Sequence, residues 1–305
     1  MYSPWDIDTL PEFARRMRFK EGLRSILYNS GDSEMITLAN KMSDCGTQVD
    51  FAIDEDGIVN VVGGRFCRQR LCPMCQWRRS LRLSFLMEDC LESLEKFEFL
   101  HVVLSRPNCS ADELKSEIQA LYSAFNSMWK TEKVKAAWKG AYRSTEVTYN
   151  EESKSYHPHL HILVAVLPSY FTSRYYISHE ALNDLWNASN DWHEDYDLNT
   201  FIARLKGENK KEIIREVTKY INKPVPVEDV RKRGEAIEQM FVYNSVLRSR
   251  RMVQTYGVLK DAISEEKLRA AEEMLDNVDL SILKNLTLEW KENGSDMAYV
   301  PRSDC

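Results

Sequence analysis

The sequence has no apolar run near the roughly 20 residues that a membrane-spanning helix needs, so no membrane partner is expected. Its first residues, MYSPWDIDTLPEFARR, lack the basic start and apolar stretch of a secretory signal. That leaves the cytoplasm as the expected compartment, where thiols stay reduced and clustered cysteines bind metal more often than each other. No internal repeat and no low-complexity segment occurs, which sets aside a repeat array. Histidine is scarce: the chain of 305 residues has six, yet three fall in the stretch SYHPHLHILVAV. Positive charge is also short overall, with a net of −6, which argues against nucleic acid.

That deficit is local. Residues 261–305 hold eleven Asp/Glu against five Lys/Arg, so the rest of the chain is neutral. Within it, RFCRQRLCPMCQWRRSLR carries Arg68, Arg70, Arg78 and Arg79 with no acid, and a second basic run ends in Arg248, Arg250 and Arg251. Local basic patches govern phosphate binding more than the whole-chain sum does. Arg68, Arg70, Arg78, Arg79, Arg248 and Arg251 are therefore candidate DNA contacts, against the plainer reading of solvated helix faces. With 43% hydrophobic and 29% charged residues, the chain is globular.

Residues 1–42 read as mostly helical. FEFLHVVL, residues 97–104, reads as a buried strand. Ser110 and Glu113 form a capping box that opens a helix running to about Trp138. Residues 141–149 and 156–167 read as two strands joined by the polar turn NEESKS. Ser178 caps another helix, 201–205 is a short strand, and 208–222 is a helix stopped by Pro224 and Pro226. The remainder reads as helical. This order predicts an α+β fold, an antiparallel sheet with helices on one side.

Cys67-Arg-Gln-Arg-Leu-Cys72-Pro-Met-Cys75 has the spacing C-x4-C-x2-C. A two-residue gap lets two thiolates meet one ion from a tight turn, and four tetrahedral ligands close a structural Zn2+ site. Cys45, followed by the small Gly46, is the candidate fourth ligand. Such a module would couple metal binding to folding and present arginines.

Side chains alternate along a strand, so His157, His159 and His161 share one face. Two nitrogens rarely complete a site. With the turn centred between Glu152 and Ser153, Glu146 falls opposite His159 and Thr148 opposite His157, with Cβ atoms roughly 5 Å apart. A one-residue slip would turn Glu146 to the other face. A site of two histidines and a glutamate with open positions suits a catalytic divalent ion, Mn2+ or Mg2+, better than closed zinc.

In ENKKEIIREVTKYINKP, Glu216 and Tyr220 lie one helical turn apart, as do Lys219 and Lys223. Alone this is an ordinary Glu–Lys-rich helix. Beside a bound cation that polarises a phosphate, a tyrosine hydroxyl becomes a plausible nucleophile and Glu216 a proton acceptor.

CRQRLCPMCQWRR, HPHLH and EVTKY, in that order, resemble the HUH endonuclease superfamily, and more closely the rolling-circle replication initiators of bacterial plasmids that carry a cysteine cluster. The resemblance covers about residues 43–260. It implies an HUH nuclease domain over 91–225, with a central antiparallel sheet flanked by helices. A 1–42 helical segment, a zinc-binding module over 43–90 and a C-terminal helical region over 226–305 complete the expected organisation. The His-hydrophobic-His core maps onto His159 and His161, which leaves His157, with Lys219 and Lys223, as candidate second contacts. The nucleophile maps onto Tyr220 and the glutamate onto Glu216. FLHVVLS resembles the first strand motif, but His101 stands where a small hydroxyl residue is usual, and no role is assigned to it. The implied function is a strand-specific nick at a plasmid origin through a 5′-phosphotyrosine, leaving a 3′-hydroxyl primer, with later rejoining of the displaced strand. Implied partners are single-stranded and hairpin origin DNA, a host helicase and polymerase, and a second copy of the chain. Trp77 is a candidate base-stacking residue. The competing readings are a zinc-dependent DNA-binding regulator without catalysis, a relaxase or transposase with the same chemistry, and, ranked last, a His-x-His metallohydrolase.

Overall fold

The structure, a computed structural model, describes residues 10–53, 59–190, 200–207, 210–218, 233–248, 250–273, 284–293 and 296–302. The chain divides into two compact units: residues 1–81, 224–248 and 270–305 form the first, and 82–223 with 249–269 the second.

The first unit begins with α1 (Leu10–Tyr28) and α2 (Ser33–Lys41). Asp32 caps α2, its carboxylate accepting from the amides of Glu34 and Met35, as a short acceptor at an N-cap should. A four-stranded sheet follows, ordered β2-β1-β8-β9, from β1 (Gln48–Ile53), β2 (Val59–Gly64), β8 (Lys284–Asn293) and β9 (Asp296–Pro301). Helix α3 (Pro73–Ser93) starts in this unit and ends in the second, and α8 (Arg233–Leu247) belongs to the first. The helical C-terminal region expected over 226–305 thus holds strands β8 and β9 beside its helices. Leu286, Leu288 and Trp290 alternate with Asn285, Thr287 and Glu289. That period of two fits a half-buried strand, and β8 pairs antiparallel with β1, bringing Leu288 opposite Val49.

The second unit is built on a five-stranded antiparallel sheet ordered β6-β3-β5-β4-β7. Its strands are β3 (Glu98–Ser105), β4 (Trp138–Asn150), β5 (Ser155–Val166), β6 (Thr200–Arg204) and β7 (Val253–Gly257). On one face, Leu100, Val102, Leu104, Leu160, Ile162 and Val164 pack in one core with Leu121, Phe125 and Met128 of α4 (Leu114–Lys130) and Trp186 of α6 (His179–Ser189). Phe125, Leu160 and Ile162 are fully buried; truncating such a side chain to Ala costs about 2–5 kcal/mol. Trp186 also donates its indole N–H to the Ser105 carbonyl at 2.9 Å.

The capping box forms: the Ser110 amide and hydroxyl both donate to Glu113 Oε2, at 3.0 and 2.7 Å. The helix it announces is shorter than expected. Thr131 is extended and caps a separate α5 (Glu132–Ala137), and Trp138 opens β4. β7, unforeseen in the sequence, leads through Gly257 (φ +52°) straight into α9 (Val258–Ala262), and α10 (Glu265–Glu273) follows. A Cβ at Gly257 would collide with the Lys139 carbonyl, so only glycine fits that close approach.

The helix predicted over 208–222 is described as α7 (Lys210–Val217), so its last part lies outside the described residues. α7 is anchored to the other face of the sheet. Ser144 of β4 donates its hydroxyl to the Val217 carbonyl, and the Ser84 and Thr218 hydroxyls meet at 2.6 Å.

Candidate active site and metal centres

The β4–β5 hairpin sets the register of the first centre. Asn150 pairs with Ser155, and the Asn150 side chain accepts from the amides of Glu152 and Ser153, both at 3.0 Å. An Asx turn of this kind fixes where the strands begin to pair. Glu146 consequently lies opposite His159 and Thr148 opposite His157, the pairing expected from the turn.

Glu146, His159 and His161 converge. His159 Nε2 lies 3.1 Å and His161 Nε2 2.9 Å from the same Glu146 oxygen, Oε2. All three side chains are buried. Burial works to raise the Glu146 carboxyl, but hydrogen bonds from His159 and His161, with their charges, hold it well below the usual carboxylate range. The carboxylate is therefore ionised at neutral pH. Two aromatic nitrogens and one anionic oxygen facing a common point are a donor set for a divalent cation. Each histidine is also held from behind. His159 Nδ1 lies 3.2 Å from the His157 carbonyl, and His161 Nδ1 lies 3.2 Å from His101 Nε2. His157 itself is half-buried, its ring tilted against that of His159, and it is not part of the converging set.

α7 brings Glu216 to this face, with Oε1 3.9 Å from His161 Nε2. Tyr220, Lys219 and Lys223 lie outside the described residues.

His101 is what sequence reasoning missed. Burial pushes its imidazole down to about 4, with the neighbouring His161 acting in the same direction and Glu216 opposing, so it is neutral at pH 7. The signal was a histidine inside an otherwise apolar strand, FLHVVL. Its meaning depended on the β3–β5 register, which sets Val103 opposite His161 and places His101 diagonally beside it. No turn joins those strands to announce that pairing.

The second centre lies in the first unit. Cys45, Cys67, Cys72 and Cys75 bring their sulfurs within 4.8 Å of one another. The Cys45–Cys75 separation is 3.4 Å, Cys45–Cys72 3.5 Å and Cys67–Cys75 3.7 Å. These are too long for a disulfide. They approach the roughly 3.8 Å edge of a tetrahedron with metal–sulfur bonds near 2.3 Å. Hydrogen bonds from the other three thiols hold Cys75 well below the usual thiol range. Cys72, first through burial, is pushed up. Four thiols this close do not ionise together without a cation, and the set fits one. Gly46 takes φ +77°, and its amide donates to the Arg65 carbonyl at 2.6 Å, closing the loop behind Cys45.

The arginines divide. Arg78 and Arg79 are 1% and 5% exposed and brace this module instead of facing solvent. Arg78 stacks over the Phe66 ring at 3.7 Å, and Arg79 donates to the carbonyls of Arg68 and Gln69. Of the candidate phosphate contacts, these two are buried, and their guanidiniums meet the loop's own carbonyls and ring. Arg70 donates to the Leu247 carbonyl at 3.2 Å. Arg68, Arg248 and Arg251 are exposed. Trp77 is half-buried with its ring edge-on to Phe13 at 4.7 Å.

A family model described as "Replication protein" matches residues 59–299. The chain belongs to the replication protein family. The matched span includes Cys67, Cys72, Cys75, Glu146, both converging histidines, Glu216 and Tyr220, and leaves out Cys45. A "Protein rep" of Streptococcus pneumoniae serotype 2 is 33% identical over 224 residues, covering 71% of this chain and 68% of the relative. A "Protein rep" of Staphylococcus aureus is 35% identical over 188 residues, 60% of this chain and 80% of the relative. One of Bacillus amyloliquefaciens is 29% identical over 258 residues, 77% and 74%. No solved structure matches. The resemblance to rolling-circle plasmid replication initiators holds at this family level. Among the described residues, no helix is long and apolar enough to cross a membrane.

Proposed function

We propose that this replication protein nicks one strand of plasmid origin DNA through an HUH-type nuclease centre and later rejoins the displaced strand. The observation that carries the reading is the convergence of Glu146, His159 and His161 on one point, on the sheet face to which α7 is anchored. A divalent cation held by these three, Mn2+ or Mg2+, would supply charge neutralisation at the scissile phosphate.

The chain's own residues do the rest. The Glu146 anion sets the charge of the centre, and the two imidazoles aim their Nε2 atoms into it. Tyr220, two residues beyond the pinned Thr218, is the nucleophile. Its phenol oxygen forms a bond to phosphorus while the bond to the 3′ oxygen breaks. The phenolic proton passes to Glu216 or to water, and the leaving 3′ oxygen takes up a proton. The 5′-phosphotyrosine conserves the bond for rejoining. With a single tyrosine in this motif, Glu216 positions water for the terminating step.

Single-stranded or hairpin origin DNA is the substrate on this reading. Arg68, Arg248 and Arg251, which are exposed, are the candidate phosphate contacts. The cysteine cluster holds structural Zn2+. A host helicase and polymerase act on the primed product, and the nuclease domain spans about residues 91–225.

The test is mass spectrometry of the adduct formed with labelled single-stranded origin DNA and Mn2+. A DNA phosphate on the peptide containing Tyr220 is expected, and Tyr220→Phe should abolish it while leaving origin binding intact. An adduct that persists in that variant removes Tyr220 from its role. No cleavage with any divalent metal favours a DNA-binding regulator.

A further inference from the structure

We propose that His101 is a positioning residue for the metal centre, its Nε2 holding Nδ1 of His161 so that Nε2 of His161 is the nitrogen left to bind a divalent cation. The inference rests on reading Glu146, His159 and His161 as the cation site, and it adds a fourth residue from a third strand.

The contact is head-on. The nitrogens lie 3.2 Å apart, the ring planes differ by only 14°, and the centroids are 5.5 Å apart. That separation exceeds the nitrogen contact by about two ring radii, so the rings meet along the line of centres and not face to face. The geometry is that of an in-plane hydrogen bond. His101 is 7% exposed, and its ring packs edge-on against Phe201 of β6 at 5.6 Å. It is not free to swing away.

The two ligand histidines differ in what stands behind them. His159 Nδ1 faces a main-chain carbonyl, that of His157, which only accepts. With a cation bound, that carbonyl keeps the proton of His159 on Nδ1 and leaves Nε2, which otherwise faces Glu146 at 3.1 Å, for the cation. His161 Nδ1 faces another imidazole, which can accept or donate. With the cation bound, His161 keeps its proton on Nδ1 and donates it to His101 Nε2. With the cation absent, His161 Nε2–H donates to Glu146 at 2.9 Å, and His101 Nε2–H donates in return to His161 Nδ1. One imidazole thus satisfies His161 in both states, which a carbonyl or carboxylate cannot do. Partners behind a metal-bound histidine commonly change affinity by about 10- to 100-fold when removed.

The experiment is an Mn2+ titration of the full-length, zinc-loaded chain, reading free Mn2+ by electron paramagnetic resonance. His101→Phe keeps an aromatic ring against Phe201 but removes the nitrogen. His101→Gln offers either an amide oxygen or an N–H near the Nε2 position. His101→Phe should weaken Mn2+ binding by about 10- to 100-fold, and His101→Gln should recover most of it. Equal binding by His101→Phe and wild type overturns the proposal. So does equal weakening by both variants, which would reduce His101 to packing. A measurement without variants stands beside these: 15N spectra of the wild-type histidines with saturating Mg2+ should show His161 protonated at Nδ1, and a proton on Nε2 overturns the proposal. If wild type and Glu146→Ala bind Mn2+ alike, the metal-centre reading itself fails. That outcome is separate from a failure of His101 alone.

Discussion

Cys67, Cys72 and Cys75 reach a common point from nine consecutive residues, whereas Glu146, His159 and His161 reach theirs from two strands of a sheet, backed by a third strand and a helix. The cysteine cluster supplies four sulfurs, a closed tetrahedral set. The Glu146 centre supplies three donors, one fewer than a closed tetrahedral set. The cluster gathers its ligands from two separate stretches of chain, at Cys45 and at Cys67–Cys75, so a bound metal would tie them together and couple to the fold of the module. The Glu146 centre sits on a sheet whose other face is a full hydrophobic core, so the scaffold stands without the ion. On the proposed reading, a metal at the cysteine cluster would make structure, and structure at the Glu146 centre would place a metal.

The largest expected effect separates the two directly. Stripping zinc with a chelator should unfold the cysteine module, since structural zinc contributes about 10 kcal/mol or more in small domains. Hydrogen exchange should show protection lost across residues 45–75 and kept in β3, β4 and β5. Protection retained in both would mean the cluster does not depend on a metal.

Next, His161→Ala and Glu146→Ala should lower nicking by about 10²- to 10³-fold, on the scale of removing one electrostatic stabiliser from a transition state. Zinc content, measured by plasma mass spectrometry, should stay unchanged. Zinc lost along with activity would break the separation of the two centres.

A smaller effect probes how α7 is attached. Ser144→Ala removes a buried hydrogen bond to the Val217 carbonyl and should cost about 1 kcal/mol of stability. Nicking should fall more than Mn2+ affinity does, because the bond holds the element carrying Glu216 and not the metal ligands. A matching fall in both would place Ser144 in the support of the ligands.

The smallest effect contrasts clustered with isolated thiols. Burial pushes Cys109 up to about 12 and Cys90 up to about 11, from an ordinary value of 9.0. A raised pKa contributes stability that is full below the unfolded value and fades as pH climbs through the folded one. The Cys109 contribution is therefore complete below pH 9 and declines towards pH 12, the loss by pH 10 being about 1 kcal/mol. The urea midpoint should fall between pH 8 and 10.5, and less so in Cys109→Ala. At pH 8 both isolated thiols should resist iodoacetamide, while the cluster becomes reactive once zinc is removed.

Local patterns were readable without coordinates. Three thiols in nine residues, three alternating histidines and a turn that fixes one register are short-range signals, and geometry followed from them. Strand positions 98–105 and 155–166 were nearly recovered because almost all of their apolar residues are buried, which gives a continuous apolar run. The C-terminal strands were missed because β8 owes its pairing to β1, more than 200 residues earlier in the chain. The split between α4 and α5 was missed because Thr131 serves as an N-cap only once the chain turns there. Arg78 and Arg79 looked like surface charge because composition does not say which face of α3 meets the cysteine loop.

The sequence by itself determined the donors and, through strand period and turn length, which of them could share a face. It also carried the family. Only the tertiary structure decided the partners behind those donors: the head-on contact of His101 with His161, the anchoring of α7 by Ser144 and Ser84, and the inward turn of two arginines. The physical reason is range. Period and turn chemistry act over a few residues, whereas the register between β3 and β5 and the seat of α7 are set by a buried core that no short segment encodes.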